Sequence, residues 1–570
     1  MILSNIQGIA IILLLIGVGW KLAPRTVSIA GHDAGQLFLL AALPLFFIDF
    51  ATSAEYAAGE LHHVLAESNL QMYAPYGVLA IGLLNIAFGG LYIYALGVFR
   101  DGGGAYTASL RYLGPAVALT VAFLLLEDYT LTIVVSSLSG ADQLLSSISA
   151  LNAGPVVHIV LGMGIAFLTC WLTLRGRRDA SRITFLILFV YIALMLITFV
   201  ALWVQSSVQG VPPMPLPAPA TDLAVGNIAA IVGNSILHGL VALTGLEAVS
   251  NGVLFIKDQD AGYVAWGKKH LPQLQSFWKF FSGRTGVART IQVGFLFWGG
   301  LTTALNSHFS NYFAVIDGTN NRTLVGNLAF VALIPLGGNV LYIFRQIWSS
   351  LTLSFANMTA YEDMQSTAYR DGVIGVLPVS LVYRSPNGNF PRPVLGAFGI
   401  ASLIMILVGG NTSAAIPFYG IGVFAPIAFM GFSVRRHLLM TKPQHYRVSA
   451  GAVFVISCLS VFIFVSQIVG KFEEGGWIRL VSFSSLFIMA HLILLSKNGE
   501  RTDQIAHHLI HDVSRIEGTM AELLMWQVHT IQTYRHNLLA RIQNRRNAKK
   551  IKAEVVLLPY PKYEIHYDNH

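Results

Sequence analysis

The amino-acid sequence predicts an all-α, polytopic membrane protein ending in a helical tail. Three observations carry that prediction. Of 570 residues, 54% are hydrophobic and 11% charged, where an ordinary soluble domain carries about 25% charged residues. Mean hydropathy is +0.62. Runs of about twenty apolar residues, the length of a membrane-crossing helix, recur along most of the chain.

The first run, 6–20, has no basic residue before it, and Lys21 and Arg25 follow it. A cleaved signal peptide has the opposite charge order, so this run predicts an extra span with its N-terminus outside. Further spans are predicted near 36–64, 74–98, 115–139, 155–175, 183–207, 226–255, 291–315, 327–358, 393–410, 413–433, 450–470 and 477–496, roughly thirteen in all. The loops between them alternate in charge. Arg175–Arg178, the stretch 257–290 with Lys268, Lys269, Lys279, Arg284 and Arg289, and Arg435 through Arg447 are basic. The segments 140–154, 208–222 and 409–413 are nearly free of Lys and Arg. The bias puts the basic loops and the C-terminal tail in the cytoplasm of a multi-pass cell-membrane protein. The net charge of +8 then reports membrane orientation and calls for no nucleic acid.

In the tail, 498–570, residues Ile505, Leu509, Val513, Ile516, Met520, Leu524, Val528 and Ile531 follow helical spacing. Such a helix lies on a surface or pairs with a second subunit, and its basic end (Arg541, Arg545, Arg546, Lys549, Lys550, Lys552) suits anionic lipid. His507 and His511 have metal-type spacing without further ligands nearby, so no transition metal is predicted. Cys170 and Cys458 fall in apolar runs and read as buried small hydrophobes.

Chemistry concentrates in a few spans. Leu124–Ser137 reads Leu-Leu-Leu-Glu-Asp-Tyr-Thr-Leu-Thr-Ile-Val-Val-Ser-Ser. A carboxylate at membrane depth is costly and faces a protein interior or a watery cavity. Asp128, Thr132 and Ser136 recur every four residues, advancing the helix face by about 40° per step, with the Tyr129 phenol alongside. Such a stripe of oxygens suits a hard cation or a proton. Asp49, Thr52, Ser53 and Tyr56 share one face of the span 36–64 by the same rule. Glu55 lies off that face and Glu60 near the end of the run. In 226–255, Gly245, Asn251 and Gly252 predict a broken helix around Glu247, with Thr244 nearby. Broken helices at this depth line cavities and free carbonyls for ions. Tyr419 lies just inside a late span. Arg345, an intramembrane cation, either pairs with one of these acids or snorkels. Gly102–Gly104 lacks the features of a phosphate loop and reads as a tight turn. Carboxylates sharing one cavity raise each other's pKa, which supplies a proton carrier beside a cation site.

These stretches resemble the APC superfamily of transporters, and within it the KUP/KimA-type potassium–proton symporters, over roughly residues 37–439. Asp-Phe-Ala-Thr-Ser-Ala-Glu-Tyr (49–56) is similar to that group's first helix. Gly-Gly-Gly-Ala-Tyr with Glu-Asp-Tyr-Thr-Leu-Thr-Ile-Val-Val-Ser resembles its second loop and third helix, and 242–253 its sixth. The resemblance implies a LeuT-like five-plus-five inverted repeat with discontinuous first and sixth helices. That makes 36–439 a ten-helix core, 1–35 an added helix and linker, 440–497 two further spans, and 498–570 the tail. It also implies a potassium site from Asp49, Tyr56, Asp128, Tyr129, Thr132, Ser136, Thr244 and Tyr419, with Glu247 or Asp128 carrying the coupled proton, in a homodimer. Glu127 is an added acid relative to that pattern. The larger cytosolic domain that binds cyclic di-AMP in that group has no counterpart in this tail.

The leading expectation is therefore a potassium–proton symporter working by alternating access, with no cofactor beyond the transported K⁺ and H⁺. An amino-acid–proton symporter of the same superfamily is the runner-up. Asp49 beside the first-helix break would repel a substrate carboxylate, whereas an amine would be tolerated. A membrane sensor signalling through its tail is a third reading. An enzyme is not expected, because the polar groups are oxygen ligands without a nucleophile–base pair.

Overall fold

The computed structural model describes residues 2–23, 39–100, 102–148, 154–175, 180–218, 224–253, 256–318, 322–373, 385 and 390–472, with a few single positions up to 488. The predicted last span, 477–496, and the C-terminal tail with its helical stripe and histidine pair lie essentially outside the described residues.

Helix α1 is Ile2–Leu22, α2 Leu39–Thr52, α3 Ala57–Ala66, α4 Ala74–Val98, α5 Gly104–Tyr112, α6 Pro115–Ser147, α7 Pro155–Arg175, α8 Ala180–Trp203 and α9 Val225–Gly239. Helix α10 is Ala248–Asn251, α11 Gly262–His270, α12 Gln275–Phe280, α13 Gly283–Tyr312, α14 Leu324–Val373, α15 Pro391–Leu407, α16 Thr412–Thr441 and α17 Tyr446–Gly470. Every span predicted from 6 through 470 has its helix. Nine helical stretches among the described residues are long and apolar enough to cross a membrane. Helix α6 sits centrally, packed against α14, α16, α7 and α5. Val448, Val455, Phe462 and Val469 recur every seven residues along α17 and are exposed, the lipid-facing stripe of a peripheral span. Cys170 is buried as expected, but Cys458 is exposed on α17, because its helix turns that face outward.

Two spans are broken. The spacing predicts one continuous helical face for the first, but α2 ends at Thr52, a tighter turn covers Ser53–Glu55, and α3 resumes at Ala57. In the second, α9 ends at Gly239, a tight turn covers Leu240–Leu243, and α10 begins at Ala248. Each break frees carbonyls that a buried chain must satisfy. Tyr191 and the Trp298 indole donate to the Ala51 carbonyl at 3.2 and 3.3 Å. Gln292 donates to the Leu246 carbonyl at 3.2 Å.

Helix α14 bends where Pro335 precedes Gly337 and Gly338, the latter at φ 64°. The extra helix α1 docks into that bend. A Cβ on Gly8 would lie 2.2 Å from the Gly337 carbonyl oxygen, so only glycine permits this approach. The basic loop between α10 and α13 is ordered by carboxylates. Asp260 accepts from Lys268 at 2.5 Å and from the Gly283 amide at 2.8 Å, and the lysine contact holds its carboxyl below the ordinary range. Asp258 accepts from the Arg284 amide at 2.8 Å at the start of α13.

Candidate functional site

The two breaks meet. Gly245, at φ 81°, brings the second break so close to the first that a Cβ there would lie 2.9 Å from Asp49 Oδ2 and 3.2 Å from the Phe50 amide nitrogen. Only glycine offers both the dihedral and the space. Around this crossing lies a ring of hydroxyls. Ser53 Oγ is 2.9 Å from Thr244 Oγ1 and 3.1 Å from Tyr56 Oη. The Tyr56 hydroxyl also faces Thr244 and Tyr419. Thr132 Oγ1 donates to Tyr419 Oη at 3.1 Å. Thus α6 and α16 close the ring that the two breaks begin.

The carboxylates sit at its edge. Asp49 is buried, within electrostatic reach of Asp128, and its Oδ1 has no hydrogen-bond partner among the described residues. Asp49 holds the break through its main chain, whose carbonyl accepts from Thr52 at 2.9 Å and from Ser53 at 3.3 Å. Its side-chain Oδ1 takes no part in holding the break. Such a buried, unfilled acceptor asks for an explanation in an ion or a ligand. Ser136 is buried one turn beyond Thr132 on α6. The Tyr129 hydroxyl turns toward the second break and accepts from Asn251 Nδ2 at 3.0 Å.

A model of the amino acid permease family matches residues 37–476. The chain belongs to this family. "Potassium transporter KimA" of Bacillus subtilis (strain 168) is 25% identical over 451 residues, 78% of this chain and 67% of that protein. Among solved structures, a manganese transporter of Eremococcus coleocola in complex with an aromatic bis-isothiourea substituted compound aligns at a TM-score of 0.44 and 12% identity, covering 90% of this chain and 98% of that one. Family and relatives are transporters rather than enzymes, and this permease is a multi-pass membrane protein.

Glu247 stands apart from the ring in the permease. Its Oε1 accepts from the Ala105 amide at 2.7 Å and its Oε2 from Tyr92 Oη at 3.3 Å. The sequence reading missed both partners, since a backbone amide and a tyrosine on another span leave no local signal. It also missed Asp363, which faces Asn251, Tyr129 and Glu247 from the far end of α14. The predicted span stops at 358, but the helix continues to Val373.

The two weaker acids have other partners. Glu55 takes Arg345 Nη2 on both oxygens at 3.0 and 3.2 Å, with Ser349 donating at 3.2 Å. Arg345 is thereby an internal pair partner and not a snorkelling residue. Glu60 accepts from Ser413 at 2.8 Å and faces His238 at 3.7 Å. Beside it, Thr412 donates to Asp142 at 2.5 Å, and Asp142 faces His158 at 3.5 Å. The start of α16 is thus tied to two carboxylate–histidine pairs on four other helices.

Proposed function

We propose that this permease imports potassium together with protons by alternating access. The observation that carries the reading is the orphaned Asp49 carboxylate oxygen at the crossing of two helix breaks, ringed by Ser53, Tyr56, Thr132, Thr244 and Tyr419. A hard monovalent cation would find there one formal negative charge and several neutral oxygens, the donor set it prefers to soft ligands. Asp128 adds a second charge from α6, with Ser136 and Tyr129 near it. Glu247, held by an amide and a phenol outside the ring, is assigned the coupled proton, shared with Asp128. The breaks would serve as the hinges of a five-plus-five inverted repeat, with 36–439 as the transport core and the tail cytoplasmic in a homodimer. The potassium transporter among the relatives supports the substrate assignment.

The family description favours a second reading, an amino-acid or amine symporter. The fixed charge of Asp49 opposes a substrate carboxylate and tolerates an ammonium. Potassium or rubidium uptake into proteoliposomes, with and without an inward proton gradient, separates the readings. The expected result is gradient-driven uptake that Asp128→Asn abolishes while the variant still inserts. Absence of cation flux in inserted protein, or flux suppressed by amines or amino acids, would replace potassium as substrate.

A further inference from the structure

The glycine turn between α4 and α5 plays no part in the function proposed above, yet it lies directly against Glu247. Gly102, Gly103 and Gly104 have φ values of 71°, 82° and 52°. A Cβ on Gly104 would lie 2.3 Å from Glu247 Oε1 and 2.0 Å from Asn251 Oδ1, so a side chain there would push both groups aside, at a backbone dihedral that favours glycine. The Ala105 amide donates to Glu247 at 2.7 Å, and the Gly103 amide donates to the Asn251 carbonyl at 3.1 Å. The turn therefore grips α10 at both ends. Helix α5 then carries the contact across the molecule, packing on α6 and α16, with Tyr112 Oη 2.7 Å from His437 Nδ1.

We propose that this glycine turn and the first turn of α5 form a latch that grips Glu247 while it is ionised and lets go when it is protonated, freeing α5 so that the basic end of the molecule can open. The inference rests on reading Glu247 as the proton-linked acid. An amide bonds an ionised carboxylate about twice as strongly as a neutral acceptor, and the start of a helix favours negative charge. A proton on Glu247 replaces the charged acceptor with a neutral carboxyl and weakens both effects. The groups facing Glu247 from the packed elements are Tyr92 on α4, the Ala105 amide on α5, Asp128 and Tyr129 on α6 and Asp363 on α14, while from α13 the neutral Gln292 donates to the neighbouring Leu246 carbonyl. The formal charges in this set are all carboxylates, so the α5 amide is a principal donor to the ionised form, with the Tyr92 hydroxyl. Gly104 and Ala105 are positioning residues in this scheme, acting through Glu247.

The test uses a reporter in the latch helix. Thr107, buried on α5, is replaced as Thr107→Cys in the full-length protein with Cys170→Ser and Cys458→Ser. Its labelling by a water-soluble thiol reagent is followed from alkaline to acid pH, each rate being divided by the rate in the same protein carrying Glu247→Gln. That ratio cancels the ionisation of the thiol itself. At alkaline pH labelling is expected about tenfold slower than in Glu247→Gln, the difference between a charged and a neutral hydrogen bond. At acid pH the two rates converge. Gly104→Ala is expected to label at the Glu247→Gln rate throughout; if that variant fails to insert, the pH series with and without Glu247→Gln still decides. Equal rates at every pH, or a slow rate that persists in acid, would overturn the latch. Labelling does not depend on the cargo, so a responsive latch without potassium uptake would sink only the substrate reading. Proton-driven uptake with an unresponsive α5 would sink only the latch.

Discussion

Asp49 and Glu55 stand at the same helix break, both buried, and the protein treats them oppositely. Glu55 is saturated: both oxygens meet Arg345, Ser349 adds a donor, and Arg345 is itself held by Gln346 at 2.7 Å. Gln346 in turn donates to Gln143 on α6 at 3.0 Å. Asp49 has an oxygen with no hydrogen-bond partner among the described residues and a glycine opposite that makes room for the carboxylate. A buried charge with a permanent counter-charge is part of the scaffold. One without it is stable only if something mobile, a cation or a proton, shares the site. Burial alone would not have separated the two; the partner does.

The largest expected effect breaks the saturated member. Arg345→Met strands Glu55 as a buried anion, a change that costs about 3–5 kcal/mol. The double variant Arg345→Met with Glu55→Gln is expected to recover most of the loss, because no isolated charge remains. Thermal unfolding of the purified protein in lipid or detergent measures both. A single variant as stable as the parent would mean that the pair does not anchor the break.

Asp49→Asn tests the open member and should behave in the opposite way. Among the described residues no ion pair is lost there, so thermal stability is expected to hold or rise. Cation uptake should fall by about tenfold to a hundredfold, the value of one hydrogen-bonded or ion-bound charge at about 1.5–3 kcal/mol. Unchanged uptake with reduced stability would invert the comparison and make Asp49 the structural acid.

Sequence patterning found the helices and most of the hydroxyl ring because both are local. Thr132 and its α6 neighbours declare themselves by helical spacing, and Gly245, Asn251 and Gly252 mark the second break. The first break was not legible from residue propensities: Ser53–Glu55 contains no glycine or proline, and tertiary contacts to Ala51 and Glu55 sustain it. The partners of Glu55 and Glu247 were invisible for a related reason. Arg345 is 290 residues from Glu55 in the chain, and the Ala105 donor is a backbone amide that any residue but proline would supply. The Gly102–Gly104 run was visible, but only the approach to Glu247 distinguishes its role from that of a tight turn.

Asp317 is an intermediate case that sharpens the comparison. It lies in the loop between α13 and α14, accepts from the Leu324 amide at 2.5 Å, and packs beside Gly59. Burial, and then the nearby charge of Glu60, push its carboxyl from 3.8 up to about 6, against the pull of backbone amides. A carboxyl with a raised folded-state pKa holds its proton more tightly when folded. Its contribution is therefore most favourable in acid, is lost as pH rises from about 4 to about 6, and is a constant penalty above that. Asp317→Asn keeps an oxygen for the Leu324 amide and removes the ionisation. It is expected to stabilise the protein at neutral pH by on the order of 3 kcal/mol, with the gain vanishing below about pH 4. Unfolding temperatures of parent and variant across that range would show it. A variant less stable than the parent at neutral pH would mean that the loop amides satisfy the ionised carboxylate as fully as Arg345 satisfies Glu55, and Asp317 would join the scaffold acids.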